Sequence, residues 1–313
     1  MRPIGYDRPL FVQPFDHRGS FKKKFFGIQG DWAVDAKHDE YTPIVSTKTL
    51  VYRGLLAAID KGVPREHVGI LVDSEYGSHI QAHARAAGIP VATCIEKSGQ
   101  PVFDFEYGSG WQDHVRFIAP DMVKVLVRYH PADDPVEKRE QATRLKQVSD
   151  YLHQQPATHF MFELLVPAST DAETAAGPRY DQEMRPARMI EAMRELQEFG
   201  VEPDIWKLEG LETAEQAEAV AAAARDGESA DGRSREKVGC ILLGRGSDAA
   251  QVHAWLRTAA PVPGWIGFAV GRTNFADAVK SYIADPSREQ AAVEEIADNY
   301  KGCVDVWREA AGG

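Results

Sequence analysis

Short apolar runs recur along the chain at residues 10–15, 68–72, 90–95, 122–129, 159–166, 204–208, 239–243 and 265–270. Most are rich in Val, Ile, Leu or Phe, as expected of strands buried on both faces of a parallel sheet. Segments with helical spacing fill the gaps. Leu145, Val148 and Leu152 share one face. So do Met189, Met193 and Leu196, and that run stops at Gly200, a residue suited to a helix C-terminus. Val252, Trp255, Leu256 and Ala259 make another face, and Val293, Ile296, Tyr300 and Val304 the last. Thr213 with Gln216, and Ser287 with Gln290, have capping-box spacing at two helix starts.

Eight strands that mostly lead into helices predict a (β/α)8 TIM barrel, read as a single domain over residues 1–313. An open doubly wound sheet would carry a Gly-rich turn after its first strand. Here that position reads Phe15-Asp16-His17-Arg18-Gly19, which is not that fingerprint. Long loops at 17–46 (with Lys22-Lys23-Lys24) and 168–185 follow strands one and five. In a barrel they lie on the active-site face, as walls or lids. The polar stretch 226–237 precedes a strand, so it is expected on the opposite face as a solvated, mobile loop.

Alternation places the chemistry. Lys124, Leu126 and Arg128 share one face of strand four, while Val123, Val125 and Val127 share the other. Met161, Glu163 and Leu165 oppose Phe160, Phe162 and Leu164 in strand five; Ile205, Lys207 and Glu209 align in strand six. The wholly apolar faces must meet the helices, so Lys124, Arg128, Glu163 and Lys207 point into the barrel. One reading is an internal salt-bridge network. The other is amine catalysis, in which Lys124 and Arg128 lower the proton affinity of Lys207 and Glu163 moves protons. On pattern alone Lys124 rivals Lys207 as the nucleophile.

Other strand ends are polar as well. Asp16, His17, Arg18, Asp73 and Glu96 are candidate substrate contacts, together with Arg128. Gly244-Arg245-Gly246 and Gly271-Arg272 close strands seven and eight, where barrels bind phosphate through backbone N–H groups and a helix N-terminus. That assigns Gly244, Arg245, Gly271 and Arg272 to an anion site. A divalent metal on Asp16, His17, Asp73, Glu75 or Glu96 was the weaker alternative, since no His-x-His or His-Glu-x-x-His spacing occurs; no metal or cofactor is expected.

Composition narrows the partners. The net charge of −11 argues against nucleic acid, whose phosphates select basic faces. Cys94, Cys240 and Cys303 lack metal-like spacing and fit a reducing cytoplasm. Neither a signal peptide nor a membrane span is evident. The expected partner is a small phosphorylated molecule, which the resemblance described next implies to be a sugar or sugar acid; a homo-oligomer is allowed.

With these residues laid out, the chain resembles the class I, Schiff-base aldolases related to tagatose-1,6-bisphosphate aldolase and sulfofructosephosphate aldolase. It is most similar to the aldolase module of myo-inositol catabolism, found alone or fused behind 5-dehydro-2-deoxygluconokinase. The segments that carry the likeness are Asp16-His17-Arg18-Gly19, Asp73-Ser74-Glu75-Tyr76-Gly77, Glu96-Lys97-Ser98-Gly99, Val123-Lys124-Val125, Phe162-Glu163-Leu164, Trp206-Lys207-Leu208-Glu209 and Val270-Gly271-Arg272. The resemblance implies that Lys207 forms the imine, that Glu163 and Lys124 assist, and that Arg272 and the strand-seven loop hold a phosphate. The implied reaction cleaves 2-deoxy-5-keto-gluconate 6-phosphate to dihydroxyacetone phosphate and malonate semialdehyde. No kinase half precedes the chain, so phosphorylation is expected elsewhere. The competing readings are a metal-dependent sugar-phosphate lyase or isomerase, and a non-catalytic sugar-phosphate sensor.

Overall fold

A computed structural model of the chain describes residues 2–28 and 37–312. Strands β1 (Leu10–Pro14), β2 (Val68–Leu71), β3 (Val91–Cys94), β4 (Met122–Arg128), β5 (His159–Leu165), β6 (Ile205–Glu209), β7 (Gly239–Leu243) and β8 (Trp265–Ala269) close in that order into a parallel barrel. The helices that follow are α1 (Lys37–Asp60), α2 (Ser74–Ala86), α3 (Trp111–Ile118), α4 (Pro135–Leu152), α5 (Arg185–Glu198), α6 (Ala214–Arg225), α7 (Ala249–Ala259) and α8 (Arg272–Ala284). A further helix, α9 (Glu289–Ala310), packs on α1 and closes the outer ring. Among the described residues no helix is long and apolar enough to cross a membrane.

Two apolar layers divide the side chains by parity. Val123, Val125, Val127, Phe160, Phe162, Leu164, Trp206 and Leu208 join the large cluster under the helices. Leu10, Val12, Leu71, Ala92, Met122, Met161, Ile205, Ile241 and Ala269 form a separate plug inside the barrel. Met122, Met161 and Ile205 lie two residues before Lys124, Glu163 and Lys207, so the alternation that buries the plug also turns those polar groups inward above it. Register pairs Glu163 directly with Lys207. Gly267 is required where β8 meets β1, because a Cβ there would lie 1.9 Å from the Leu10 carbonyl oxygen.

The base of the barrel is tied to its N-terminal arm. Asp204 is fully buried just before β6 and accepts from Arg2 Nη1, Gly5 N and Phe160 N, each at 2.7 Å. His153 and His159 lie 3.9 and 3.8 Å from its carboxylate.

Several expected connections take more definite forms. Of the loop expected at 17–46, residues 29–36 lie outside the described residues, and residues 37–46 are the start of α1 rather than loop. Segment 168–185 is mostly helical: Asp171–Ala176 begins with a complete Thr170–Glu173 capping box, and Tyr180–Met184 is a wide turn leading into α5. Residues 226–237 are anchored, because Arg235 pairs with Glu202 through two bonds of 2.8 and 2.7 Å. Thr213 caps α6 by accepting from Gln216 N. Ser287 does not cap α9, which starts two residues later; Asp285 accepts from Ser287 N instead and caps the short turn Pro286–Arg288.

Asp204→Ala removes the counter-ion of Arg2, which keeps only the Pro3 and Thr158 carbonyls, and leaves the Gly5 and Phe160 N–H groups without their acceptor. We expect it to lose about 3–5 kcal/mol of unfolding free energy in urea titration; a change below about 1 kcal/mol would contradict the clamp. Burial also lowers the pKa of His153 to about 4, and that of His159 to a lesser extent. Both groups are neutral in either state above the ordinary histidine value. Below it the unfolded chain takes up protons that the folded chain refuses. Stability should therefore fall as pH drops from about 6.5 toward 4, by up to about 1.4 kcal/mol per pH unit from His153, with a smaller contribution of the same sign from His159. His153→Gln should make that slope shallower.

Candidate active site

Five charged groups meet above the apolar plug, each placed there by a different strand. Lys207 comes from β6, Glu163 from β5 and Lys124 from β4, while Asp16 and Glu96 follow β1 and β3. All are nearly buried. Lys124 Nζ lies 2.7 Å from Asp16 Oδ2, 2.6 Å from Glu96 Oε1 and 3.3 Å from Glu163 Oε2. Lys207 Nζ lies 2.8 Å from the same Glu163 oxygen. Glu163 therefore bridges the two lysines, and Lys124 is ringed by carboxylates while Lys207 meets one.

The electrostatics follow from that count. Burial opposes the charge on Lys124, but Asp16, Glu96 and Glu163 outweigh it and hold its pKa well above the ordinary lysine value. Burial likewise raises Asp16 and Glu163, yet the neighbouring ammonium groups bring both below the usual carboxylate range. Glu96 goes the other way: burial raises it, and Lys124 and Arg18 offset this only in part. His17 is pushed down to about 4 by burial, so it is neutral near pH 7. Among the described residues its Nδ1 has no hydrogen-bond partner, and it lies 3.9 Å from Asp16 Oδ1. Strand alternation alone predicts three cations and at least one carboxylate in this space. The fold instead surrounds Lys124 with three carboxylates, so Lys124 serves as the fixed positive charge.

Above this cluster the mouth opens into two connected cavities. One, of 270 Å³, is walled by Asp16, Arg18, Glu96 and the turn 97–100. The other, of 250 Å³, is walled by Gly244, Arg245, Gly246, Gly271, Arg272 and Thr273. His17, Ser20, Leu126, Arg128, Glu163 and Lys207 line both. Lys207 thus sits where the two arms join.

Not every expected residue faces this cleft. Asp73 lines neither cavity. It pairs with the buried Lys48 of α1 and caps α2 by accepting from Tyr76 N at 2.8 Å. Lys48 also donates to the carbonyls of Phe15 and His17, so Asp73 acts on the site through the loop that carries Asp16. Arg18 is buried against the Glu96 carbonyl and Glu106, 2.8 Å away, and braces the turn after β3. Arg245 lines its cavity, but its charge is matched by Glu209 at 3.0 Å and Asp181 at 2.5 Å. Its backbone is left-handed, at φ 49°, a cost that these two ion pairs offset. Nothing local in the sequence marks Lys48, Glu106 or Asp181 for these roles. Thr170 and Glu173 did carry a readable signal, the capping-box spacing.

Asp16, Cys94 and Glu96 present ligand-type atoms within 4.8 Å of one another. The Lys124 ammonium already occupies hydrogen-bonding distance to both carboxylates, and burial pushes the Cys94 thiol far above its ordinary pKa. A divalent ion there would have to displace Lys124 and deprotonate the thiol.

No curated protein matches the chain. Among solved structures, the fructose-bisphosphate aldolase of Plasmodium falciparum, crystallised with TRAP and a small-molecule inhibitor, has a similar fold. The TM-score is 0.62 at 13% identity, over 96% of this chain and 91% of that one. A family model described as "Uncharacterized protein conserved in bacteria (DUF2090)" matches residues 7–311, and the chain belongs to that family.

Proposed function

We propose that the protein is a Schiff-base aldolase acting on a phosphorylated keto sugar acid, with Lys207 as the amine. The observation that carries this is the asymmetry between the two lysines: Lys124 is locked as a cation by Asp16, Glu96 and Glu163, while Lys207 has one carboxylate partner at the floor of an open cleft. A nucleophilic amine needs a free lone pair and a nearby proton acceptor. Glu163 is that acceptor, 2.8 Å away. The aldolase of similar fold adds fold-level analogy.

In the proposed reaction the Lys207 nitrogen attacks the substrate ketone. The carbinolamine then loses water to give an iminium. A carboxylate, Glu163, removes the proton of the hydroxyl at the scissile carbon. The carbon–carbon bond breaks, its electron pair enters the iminium, and an aldehyde leaves. The resulting enamine is protonated at carbon and hydrolysed from Lys207. Lys124 remains charged throughout and stabilises the oxygen anions that develop beside it. The substrate favoured by the sequence resemblance is 2-deoxy-5-keto-gluconate 6-phosphate. A hexose bisphosphate or a sulfosugar phosphate is the second choice.

For the phosphate, Arg272 is the better ligand of the two candidate arginines, since Arg245 already carries two ion pairs. Arg272 begins α8, whose N-terminus has no side-chain cap, and its guanidinium lies beside the Gly244–Gly246 turn. A phosphate there would meet a guanidinium together with backbone donors.

Borohydride added with substrate should trap a covalent adduct at Lys207, read by intact mass and peptide mapping across a panel of ketose phosphates. Lys207→Ala should lose the adduct and turnover while keeping its unfolding midpoint. Activity that survives borohydride but is lost to EDTA would replace the imine with metal chemistry. Tight ligand binding with no adduct and no turnover would identify a sensor instead. Lys124→Met should be far more damaging to the fold, by about 3–5 kcal/mol at pH 7, because buried Asp16 and Glu96 lose the ammonium they share while Glu163 keeps only Lys207. The sign with pH is opposite to that of the histidines. Protonation relieves the uncompensated carboxylates, so the deficit of Lys124→Met should shrink as pH falls toward 5; a constant deficit would exclude the charge explanation.

A further inference from the structure

Four arginines line the two-armed cleft: Arg18, Arg128, Arg245 and Arg272. Arg18 and Arg245 are each matched by carboxylates of the protein. Among the described residues, the guanidinium groups of Arg128 and Arg272 have no carboxylate partner and no hydrogen bond within the chain. The two come from opposite walls. Arg128 is the last residue of β4 and Arg272 follows β8, and these strands are diametrically placed in a closed barrel of eight. Lys207 lies on the floor between them.

Arg128 is exposed at the mouth and Arg272 half-buried, so each presents a guanidinium that an anionic ligand can pair with. Two on opposite walls call for two anions separated by the length of a ligand. Their surroundings differ. Arg272 stands with Gly244, Gly246 and Gly271, where backbone N–H groups can surround a tetrahedral oxyanion. Arg128 shares its wall with Leu126 and Leu165, which offer no donors from their side chains. A lone planar fork matches the two oxygens of a carboxylate.

We propose that Arg128 is a specificity-determining residue that pairs with a carboxylate at the end of the substrate opposite its phosphate. The cleft therefore selects ligands that are anionic at both ends. This deepens the substrate reading above but is independent of imine formation, and the two can fail separately.

The test is calorimetric titration with two ligands that lack a ketone and cannot be cleaved: 6-phospho-D-gluconate and D-glucitol 6-phosphate. They differ at the far end, carboxylate against hydroxymethyl. The wild-type protein should bind the gluconate roughly 10- to 100-fold more tightly, the range of one charge-assisted pair. Arg128→Met should abolish that preference and leave D-glucitol 6-phosphate binding unchanged, while Arg272→Met should weaken both ligands together. Arg128→Lys, which keeps the charge but not the fork, should restore only part of the preference. Arg128 is exposed to the cleft, so an unchanged unfolding midpoint is expected for each of its variants. Equal affinities in the wild type, or a preference that survives Arg128→Met, would overturn the proposal. Tighter binding of D-glucitol 1,6-bisphosphate than of 6-phosphogluconate would overturn the carboxylate assignment. Borohydride trapping on the same proteins reports the imine chemistry separately.

Discussion

The ammonium of Lys124, held between Asp16, Glu96 and Glu163, is the interaction on which the rest of the site depends. Three carboxylates this close could not all remain ionised in a buried space without it. It draws together elements that follow β1 and β3 with residues on β4 and β5, and so fixes the geometry of the barrel mouth. It also sets the neighbouring lysine apart. Because Glu163 is shared, the arrangement offers Lys207 a carboxylate whose charge is already half engaged.

Around that centre, the charged residues divide into those that hold the scaffold and those left for a ligand. Asp73 and Lys48 fix the loop after β1; Arg18 and Glu106 fix the turn after β3; Arg245, Glu209 and Asp181 fix the loop after β7 to the segment leading into α5. Each is satisfied by the protein itself. Among the described residues Arg128 and Arg272 have no such partner, and both open onto the cleft. A charge that the fold leaves unpaired at a cavity wall is more informative about a ligand than one that is merely present there.

The stability of the frame has a different origin from its chemistry. Below the charged layer the barrel is filled by Met122, Met161, Ile205, Ile241 and their neighbours, and outside it by the larger cluster under the helices. The apolar plug excludes water from beneath the lysines, which strengthens every electrostatic interaction above it. Asp204 seals the opposite end by tying the N-terminal arm to β5.

Much of this was legible in the residues. Strand alternation has a fixed period, so the inward direction of Lys124, Glu163 and Lys207 followed once the apolar faces of β4, β5 and β6 were recognised, and the order of eight strands implied closure. The period says which way a side chain points but not which partner it meets. That Lys124 rather than Lys207 gathers the carboxylates depends on the tilt and register of strands far apart in the chain. The same holds for Asp73, whose position after β2 resembled a site residue until the fold placed Lys48 of α1 against it. Arg245 and Arg272 read alike as Gly-Arg pairs; only the approach of Glu209 and Asp181 in three dimensions distinguishes the one that is neutralised from the one left open. Pattern along the chain determined the frame and the direction of its polar groups. Long-range pairing decided their charges, because Coulomb energies depend on distances that only the closed barrel sets.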